Sequence, residues 1–487
     1  MAAPSDSGAP LTAVERNPNL RLLIPGIVAI GFLMEMLDTT IITTAIPAMA
    51  KTLRATPLAM NLAVTTYVLT LAVFIPVSGW FADRFGARRI FALALLTFTL
   101  GSVLCGLAVD LPMLIATRAL QGLGGAMMTP VGRLILIRSF PRNQLVKAMT
   151  YMTLPAIVGP VVGPVLGGFL TTYASWRWIF FINIPFGLLG TVLALRFIED
   201  GEGEAPKPFD VPGFVLFGLG VALLQYGLEG VGRGGSPLLV AAILGGAVVM
   251  LLVFAVHARR IAAPMVDLTL FRNRAFSVGT LAGGLCRIGM NGTPFLLPLM
   301  LQIGFGLSPF NSGLLTFVSA IGILGIRPVC GRLLATFGFD RVLIGSAVLA
   351  AMVTAGFALF GPHTPHWILA IYMLAFGMVR ATQFMASNSL SYADLPRGQL
   401  SGATSLGGVL QQLSVSFGVS VAATLLGLFA GPAHLLTPTR FHEVFLAMSL
   451  IPLLALPGFL TLRPEDGVQV SGHVRGRRRD PLSQAAQ

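Results

Sequence analysis

Apolar residues arrive in this chain in runs of about twenty or more, and that pattern decides most of what it can fold into. Fourteen runs are long enough to cross about 30 Å of hydrocarbon. They lie at 22–49, 61–82, 90–109, 113–137, 148–171, 178–197, 211–229, 237–257, 275–301, 308–331, 342–361, 367–391, 402–430 and 443–462. Away from water each run must satisfy its own backbone polar groups, which a helix does. With 55% hydrophobic residues, 10% charged residues and a mean hydropathy of +0.83, the chain reads as an all-α polytopic membrane protein. A net charge of +13 invites a nucleic-acid reading, but the placement of the charge argues against one. Putting both termini on one side collects 22 of the 32 Lys and Arg residues there and leaves five opposite. That bias predicts cytoplasmic termini and a multi-pass protein of the cytoplasmic (inner) membrane, in contact with its lipids.

The polar stretch Met1–Arg21 has no signal-peptide pattern, so the first span is expected to remain as an uncleaved anchor. Cys105, Cys286 and Cys330 fall inside apolar runs without metal-ligand spacing and read as inert packing residues. The longest interior connections are 199–210, acidic with Pro and Gly, and 259–274. Two plain apolar spans lie between them. The chain is therefore expected to divide into a cytoplasmic tail (1–21), six spans (22–198), a section of linkers with two inserted spans (199–274), six more spans (275–462) and a second cytoplasmic tail (463–487). Arg475, Arg477, Arg478 and Arg479 in that last tail are read as a solvated positive-inside cluster rather than a lipid-binding one.

One short charged loop stands out between the second and third runs: Gly79, Asp83, Arg84, Gly86, Arg88 and Arg89. Gly79 permits close helix approach, and Gly86 suits a left-handed turn. Asp83 is expected near the start of the following helix, where negative charge is favoured. A weaker copy recurs with Gly331, Phe337, Gly338 and Arg341 in the places of Gly79, Phe85, Gly86 and Arg89, and with Ala335 in the place of Asp83. The copy points to two related halves.

Charged groups inside hydrocarbon are costly and are candidates for function. Glu35 and Asp38, three residues apart, share a face of the first helix, which is expected to turn toward a watery interior. Two carboxylates so close resist ionising together, which suits proton carriage. Arg118 lies at a similar depth in the fourth span, within reach of Asp38 directly or through a water, and is followed by Gln121, a candidate cavity or substrate residue, and by Gly122, Gly124 and Gly125. In the fifth span Gly159, Gly163 and Gly167 form one smooth stripe, interleaved with Pro160 and Pro164 and followed by Gly168. The stripe reads as a groove for a neighbouring backbone. Trp176 and Trp178 suit an interfacial belt. In the second half Arg287, Asn291, Arg380, Gln383 and Gln411 are candidate cavity or substrate residues, with helix joining as the other reading of the glutamines. Arg327 is expected to snorkel to a cytoplasmic end.

Six stretches carry a resemblance. The loop pattern G-x3-D-R-x-G-x-R-R resembles the signature loop of the major facilitator superfamily of transporters. The stretch after Arg118 resembles that superfamily's fourth-span arginine motif, and the Gly–Pro stripe its antiporter motif. The run from Leu37 to Pro47 and the string from Ser175 to Gly187 look like the fourteen-span drug:proton antiporters of the EmrB/QacA type. Cys286 to Gln302 resembles the MdtD-like branch of that family. The resemblance implies a major facilitator fold, two six-helix bundles plus two inserted helices. It also implies a proton-coupled antiporter that exports hydrophobic or amphipathic compounds. Asp38, Glu35 and Arg118 would then serve in proton coupling and the Gly79–Arg89 loop in gating.

Within the same fold the alternatives are proton-coupled uptake and movement of a lipid or metabolite. From a different class come a passive channel and a membrane-bound enzyme. The six histidines lie at span ends or in loops, and no zinc-protease or nucleophile-elbow pattern appears, so no enzyme is expected. The chain also lacks a P-loop, and neither a cofactor nor a metal is expected. The partners expected are a small-molecule substrate and protons, with accessory export proteins left open.

Overall fold

In the computed structural model nearly every apolar run is helical, and the description covers residues 20–199, 208–232, 235–261, 264–396, 399–431, 436–463 and 465–473. The N-terminal tail up to residue 19, most of the acidic linker and the arginine-rich segment 475–479 lie outside the described residues. The first helices are α1 (Leu20–Ile41), α2 (Asn61–Phe74), α3 (Ser78–Phe85), α4 (Ala87–Gly106), α5 (Leu111–Ser139), α6 (Arg142–Tyr173) and α7 (Asn183–Phe197). Then come α8 (Val211–Gly232), α9 (Pro237–Arg260), α10 (Gly283–Asn291), α11 (Thr293–Leu299), α12 (Pro309–Ala355), α13 (His366–Ala393), α14 (Leu400–Ala430) and α15 (Pro438–Leu453). No strand occurs among the described residues.

Eleven helical segments of the described residues are long and apolar enough to cross a membrane, and Val158–Tyr173 is a shorter apolar stretch. Two of the expected spans, 308–331 and 342–361, form one continuous path, Pro309–Leu359, that turns at Gly338. The expected span 275–301 is a chain of short pieces. It consists of a helical turn at Arg274–Ser277, a π-helical turn at Val278–Ala282, then α10, α11 and a second π-helical turn at Met300–Gly304. Pro294 and Pro298 lack the backbone donors that an unbroken helix there would use.

Local chemistry fixes several of the starts. Asp110 caps α5 by accepting a hydrogen bond from the Met113 amide (2.8 Å), with Pro112 in the first turn, where no amide donor is needed. Outward faces are apolar. Leu93, Leu96 and Leu100 form an exposed stripe on α4, and Val248, Val249, Leu252, Val253 and Val256 cover much of α9. A stripe of that kind is stable against lipid tails, not against water.

The described chain divides into two units. The first runs to Val211 and takes in Ser308–Leu314; the second holds Pro212–Leu307 and the chain from Leu315 onward, so α8 and α9 belong to it. In the first unit α1 packs along α6, α5 lies against α4 and α2, and α7 lies against α4 and α1. Ser308–Leu314 joins this unit because the Phe310 amide donates to Thr172 Oγ1 (3.1 Å) and Gly313 lies against the Pro164 carbonyl. In the second unit α10 packs against α14 and α15.

Candidate functional site

The first unit holds one buried polar network. Helix α1 presents Asp38 to α5, and the carboxylate is 1% exposed. Arg118 Nη1 donates to Asp38 Oδ2 (2.6 Å) and to Gln121 Oε1 (2.7 Å), and its Nε donates to the Ala63 carbonyl on α2 (2.9 Å). Gln121 Nε2 donates to Asp38 Oδ1 (2.8 Å) and to Ser102 Oγ on α4 (2.6 Å), which also receives Asn183 Nδ2 from α7 (3.1 Å). The guanidinium lies over the Tyr67 ring, 4.1 Å from its centroid. Both carboxylate oxygens are therefore engaged by α5, and five helices meet around one ion pair. Such a pair is stable in hydrocarbon only when its remaining donors and acceptors are satisfied as well.

Glu35, one turn earlier on α1, is 4% exposed and accepts from Thr129 Oγ1 on α5 (2.5 Å). Asp38 and Glu35 thus share a face, as their spacing requires, but that face is packed against α5 and not open to water. Close approach is needed here. Gly122 admits the Tyr67 carbonyl and Thr70, since a Cβ on it would stand 2.8 Å from each. On α6, the stripe of Gly159, Gly163 and Gly167 receives α1 itself, at Met36, Thr40 and Ile41 in turn. Thr40 Oγ1 seals that contact at 3.0 Å from the Gly159 carbonyl. Pro160 and Pro164 lie inside α6, and Gly168 lies against Pro309 and Phe310.

The charged loop is compressed to one residue. Gly86, at φ 91°, separates α3 from α4. Its counterpart Gly338 has φ 78° within the turn of α12, so the repeat seen in sequence recurs as backbone geometry. Asp83 departs from expectation. It sits in the last turn of α3, not at the start of α4, and pairs with Arg138 near the end of α5 (2.8 Å). Arg84 and Arg89 are exposed beside it, and Arg88 and Gly79 lie at the same end of their helices.

In the second unit α10 and α13 face each other through two rungs. Arg380 Nη2 donates to Asn291 Oδ1 (3.1 Å), and the Arg287 guanidinium lies 5.8 Å from the centroid of the Phe384 ring. Arg287 is buried. Gln383 is fully buried and bonds to Ser346 of α12 and Ser387 of α13, the helix-joining arrangement. Gln411 is half-buried on α14, and Arg327 is exposed. Trp176 does not belong to an interfacial belt. It is buried and donates to Thr52 Oγ1 (3.1 Å), while Trp178 is exposed.

Several polar partners escaped the sequence reading: Ser102, Asn183, Thr129 and Arg138. The inserted spans also hold more than plain apolar residues, because α8 buries Gln225 and Glu229. Glu229 was open to detection as an acid inside an apolar run.

The geometry can be set beside known proteins. The family model described as Major Facilitator Superfamily matches residues 28–419. An MdtD protein of Pectobacterium atrosepticum, which carries a multidrug-resistance name, is 43% identical over 453 residues, covering 92% of this chain and 97% of its own length. An MdtD protein of Escherichia coli O139:H28 is 42% identical over 459 residues, covering 93% and 97%. Among solved structures, a D-xylose–proton symporter superposes with a TM-score of 0.64 at 16% identity, covering 91% of this chain and 98% of its own. The nucleoside transporter NupG gives 0.62 at 14% identity, covering 91% and 98%. With a family model over most of its length and relatives matched almost end to end, this chain belongs to the major facilitator superfamily and is a membrane transporter, not an enzyme.

Proposed function

We propose that this chain is a proton-coupled antiporter of the fourteen-span EmrB/QacA type, exporting hydrophobic or amphipathic compounds across the cytoplasmic membrane, with both termini in the cytoplasm. The observation that carries this reading is the engagement of both Asp38 oxygens by α5, through Arg118 and Gln121. A proton on Asp38 removes the charge that holds Arg118 and turns one acceptor oxygen into a donor. The α1–α5 seam is then looser in the protonated state than in the charged one. Glu35 modulates the site from one turn away. Substrate and proton then disfavour each other through the same seam, which is the linkage that exchange requires. The α6 stripe seats the helix that carries both acids, and the multidrug-resistance name of the relatives supports the substrate class. The Gly79–Arg89 loop gates, the two six-span halves form the bundles, and α8 and α9 are the insert.

The test is Asp38→Asn in proteoliposomes, with gradient-driven export of ethidium as the readout and thermal unfolding as the control for folding. Export is expected to be abolished while a single cooperative unfolding transition persists at a lowered temperature, because Arg118 loses its counter-charge, and Glu35→Gln is expected to have a smaller effect on both. Full gradient-driven export by Asp38→Asn would refute the assignment.

A further inference from the structure

In the second unit two positive charges share one seam, and no negative charge of the protein meets them. Helix α10 supplies Arg287 and, one turn later, Asn291; α13 supplies Arg380 and, one turn later, Phe384. The Arg380–Asn291 bond and the approach of Arg287 to the Phe384 ring put the two guanidiniums on neighbouring rungs, about 6 Å apart along the seam. On α13 the lipid-type residues Trp367 and Ile371 are exposed. Arg380 follows Ile371 by two and a half turns and so falls on the opposite side of the helix. It is half-buried there, and its accessible side is turned away from those lipid-type residues.

A guanidinium keeps its charge in any protein environment, so burial has to be compensated by a partner rather than by loss of a proton. Arg287 is 7% exposed, and its Nε is buried with no hydrogen-bond partner. Arg380 gives one of its donors to the neutral Asn291 side chain. Among the described residues neither arginine forms an ion pair.

The surrounding helices supply no counter-charge. The ionisable groups beside Arg287 are the Cys286 thiol and the Tyr392 phenol, both uncharged at neutral pH. Helix α14 carries no charged residue along its length. Helix α15 packs on α10 at Ile451 and Pro452, and its acid, Glu443, lies two turns away in a pair with Arg440. Glu229, the one buried acid of this unit among the described residues, bonds to Ser420 of α14. Gly418, which meets Ile288 and Asn291 of α10, lies on the other side of that helix, so Glu229 is held away from the pair. In the first unit the protein answers Arg118 with its own Asp38. Here the answering charge has to come from outside the chain.

We infer that Arg287 and Arg380 form a receptor for the acidic group of a substrate, and that the amphipathic compounds carried include organic acids. A carboxylate between the two rungs accepts from both guanidiniums, the strong, charge-assisted form of the bond. The Phe384 ring beside Arg287 offers an apolar surface to the carbon tail. The inference rests on the export reading and names a substrate class within it. A cation such as ethidium gains nothing from this pair, so its export reports coupling and not occupancy here.

The test is equilibrium binding to purified protein in phosphatidylcholine nanodiscs, with the signal of empty nanodiscs subtracted. The probes are dansyl-labelled undecanoic acid, ionised in alkaline buffer, and its methyl ester, which keeps the tail and lacks the charge. The acid is expected to bind at least about tenfold more tightly than the ester. Arg287→Gln and Arg380→Gln are each expected to lose that preference while retaining a cooperative unfolding transition. Equal affinity for acid and ester on the wild-type protein overturns the inference without recourse to any variant. So does a preference that survives in both variants, because the acid then binds elsewhere. Displacement of the bound acid by phosphatidylglycerol in the nanodisc assigns the pair to a lipid head group and overturns the substrate assignment. No gradient is applied, so failure here leaves the Asp38 assignment standing, and full export by Asp38→Asn leaves this one standing.

Discussion

Adding one methyl group at Gly159 should disturb the proton site without touching an ionisable residue. A Cβ there would stand 2.6 Å from Met36 Cβ and 2.7 Å from the Met36 carbonyl carbon, and the latter is backbone that no rotamer change can move aside. Helix α1 has to retreat by about 0.8 Å to restore ordinary contact in a close-packed interior. Asp38 is two residues along the same helix. Asp38 lies on the opposite side of α1 from Met36 and Thr40, so a displacement of that size presses it toward α5 and forces its 2.6 Å contact with Arg118 to rearrange. Overpacking of this kind costs about 1–3 kcal/mol, and for a domain of this size that lowers the unfolding temperature by roughly 2–12 °C. Gly26→Ala is the matched control, because no atom lies within 4 Å of its added Cβ. An exposed helical glycine replaced by alanine is expected to gain about 0.5–1 kcal/mol. The assay pairs thermal unfolding of purified protein with gradient-driven export. If Gly159→Ala unfolds and transports like Gly26→Ala, the seating of α1 on the α6 stripe is not what positions Asp38.

Other perturbations separate the remaining contacts. Arg118→Lys should abolish coupled export, since one ammonium cannot reproduce the bonds to Asp38, Gln121 and the Ala63 carbonyl; wild-type export would show that charge alone suffices. Asp83→Asn should lower stability by less than about 1 kcal/mol, because its pair with Arg138 is partly exposed, yet shift the cavity toward inward access. Cysteine-accessibility labelling that matches wild type would exclude that gating role. Gln383→Leu should cost about 1–3 kcal/mol by leaving Ser346 and Ser387 without their buried partner, measured as a drop in unfolding temperature; an unchanged temperature would reopen a substrate role.

Hydropathy placed the helices because a span long enough to cross a membrane leaves no other choice for its backbone, and boundaries such as Val211 agree with the runs. The Asp38–Arg118 contact was foreseeable because isolated charges of opposite sign at equal depth have few other partners. Ser102, Asn183 and Thr129 were not foreseeable. Neutral polar residues are common in such helices, and a helix apolar on every face gives no period to show which side is packed. Asp83 was misplaced because a single glycine, not a longer loop, separates α3 from α4, so the acid falls before the break. Glu229 was visible as an acid in an apolar run, but its contact with Ser420, nearly two hundred residues away, was not.

Gly86 and Gly338 each leave a single residue of irregular backbone between two helical segments. A joint that short has no slack, and what it stores is torsion. When the segment before Gly86 rolls about its axis, the segment after it must swing, as the arm of a crank follows its pin. The same restriction limits engineering. An epitope or protease site inserted at either glycine would uncouple crank from arm, whereas a longer connection such as 259–274 has length to spare.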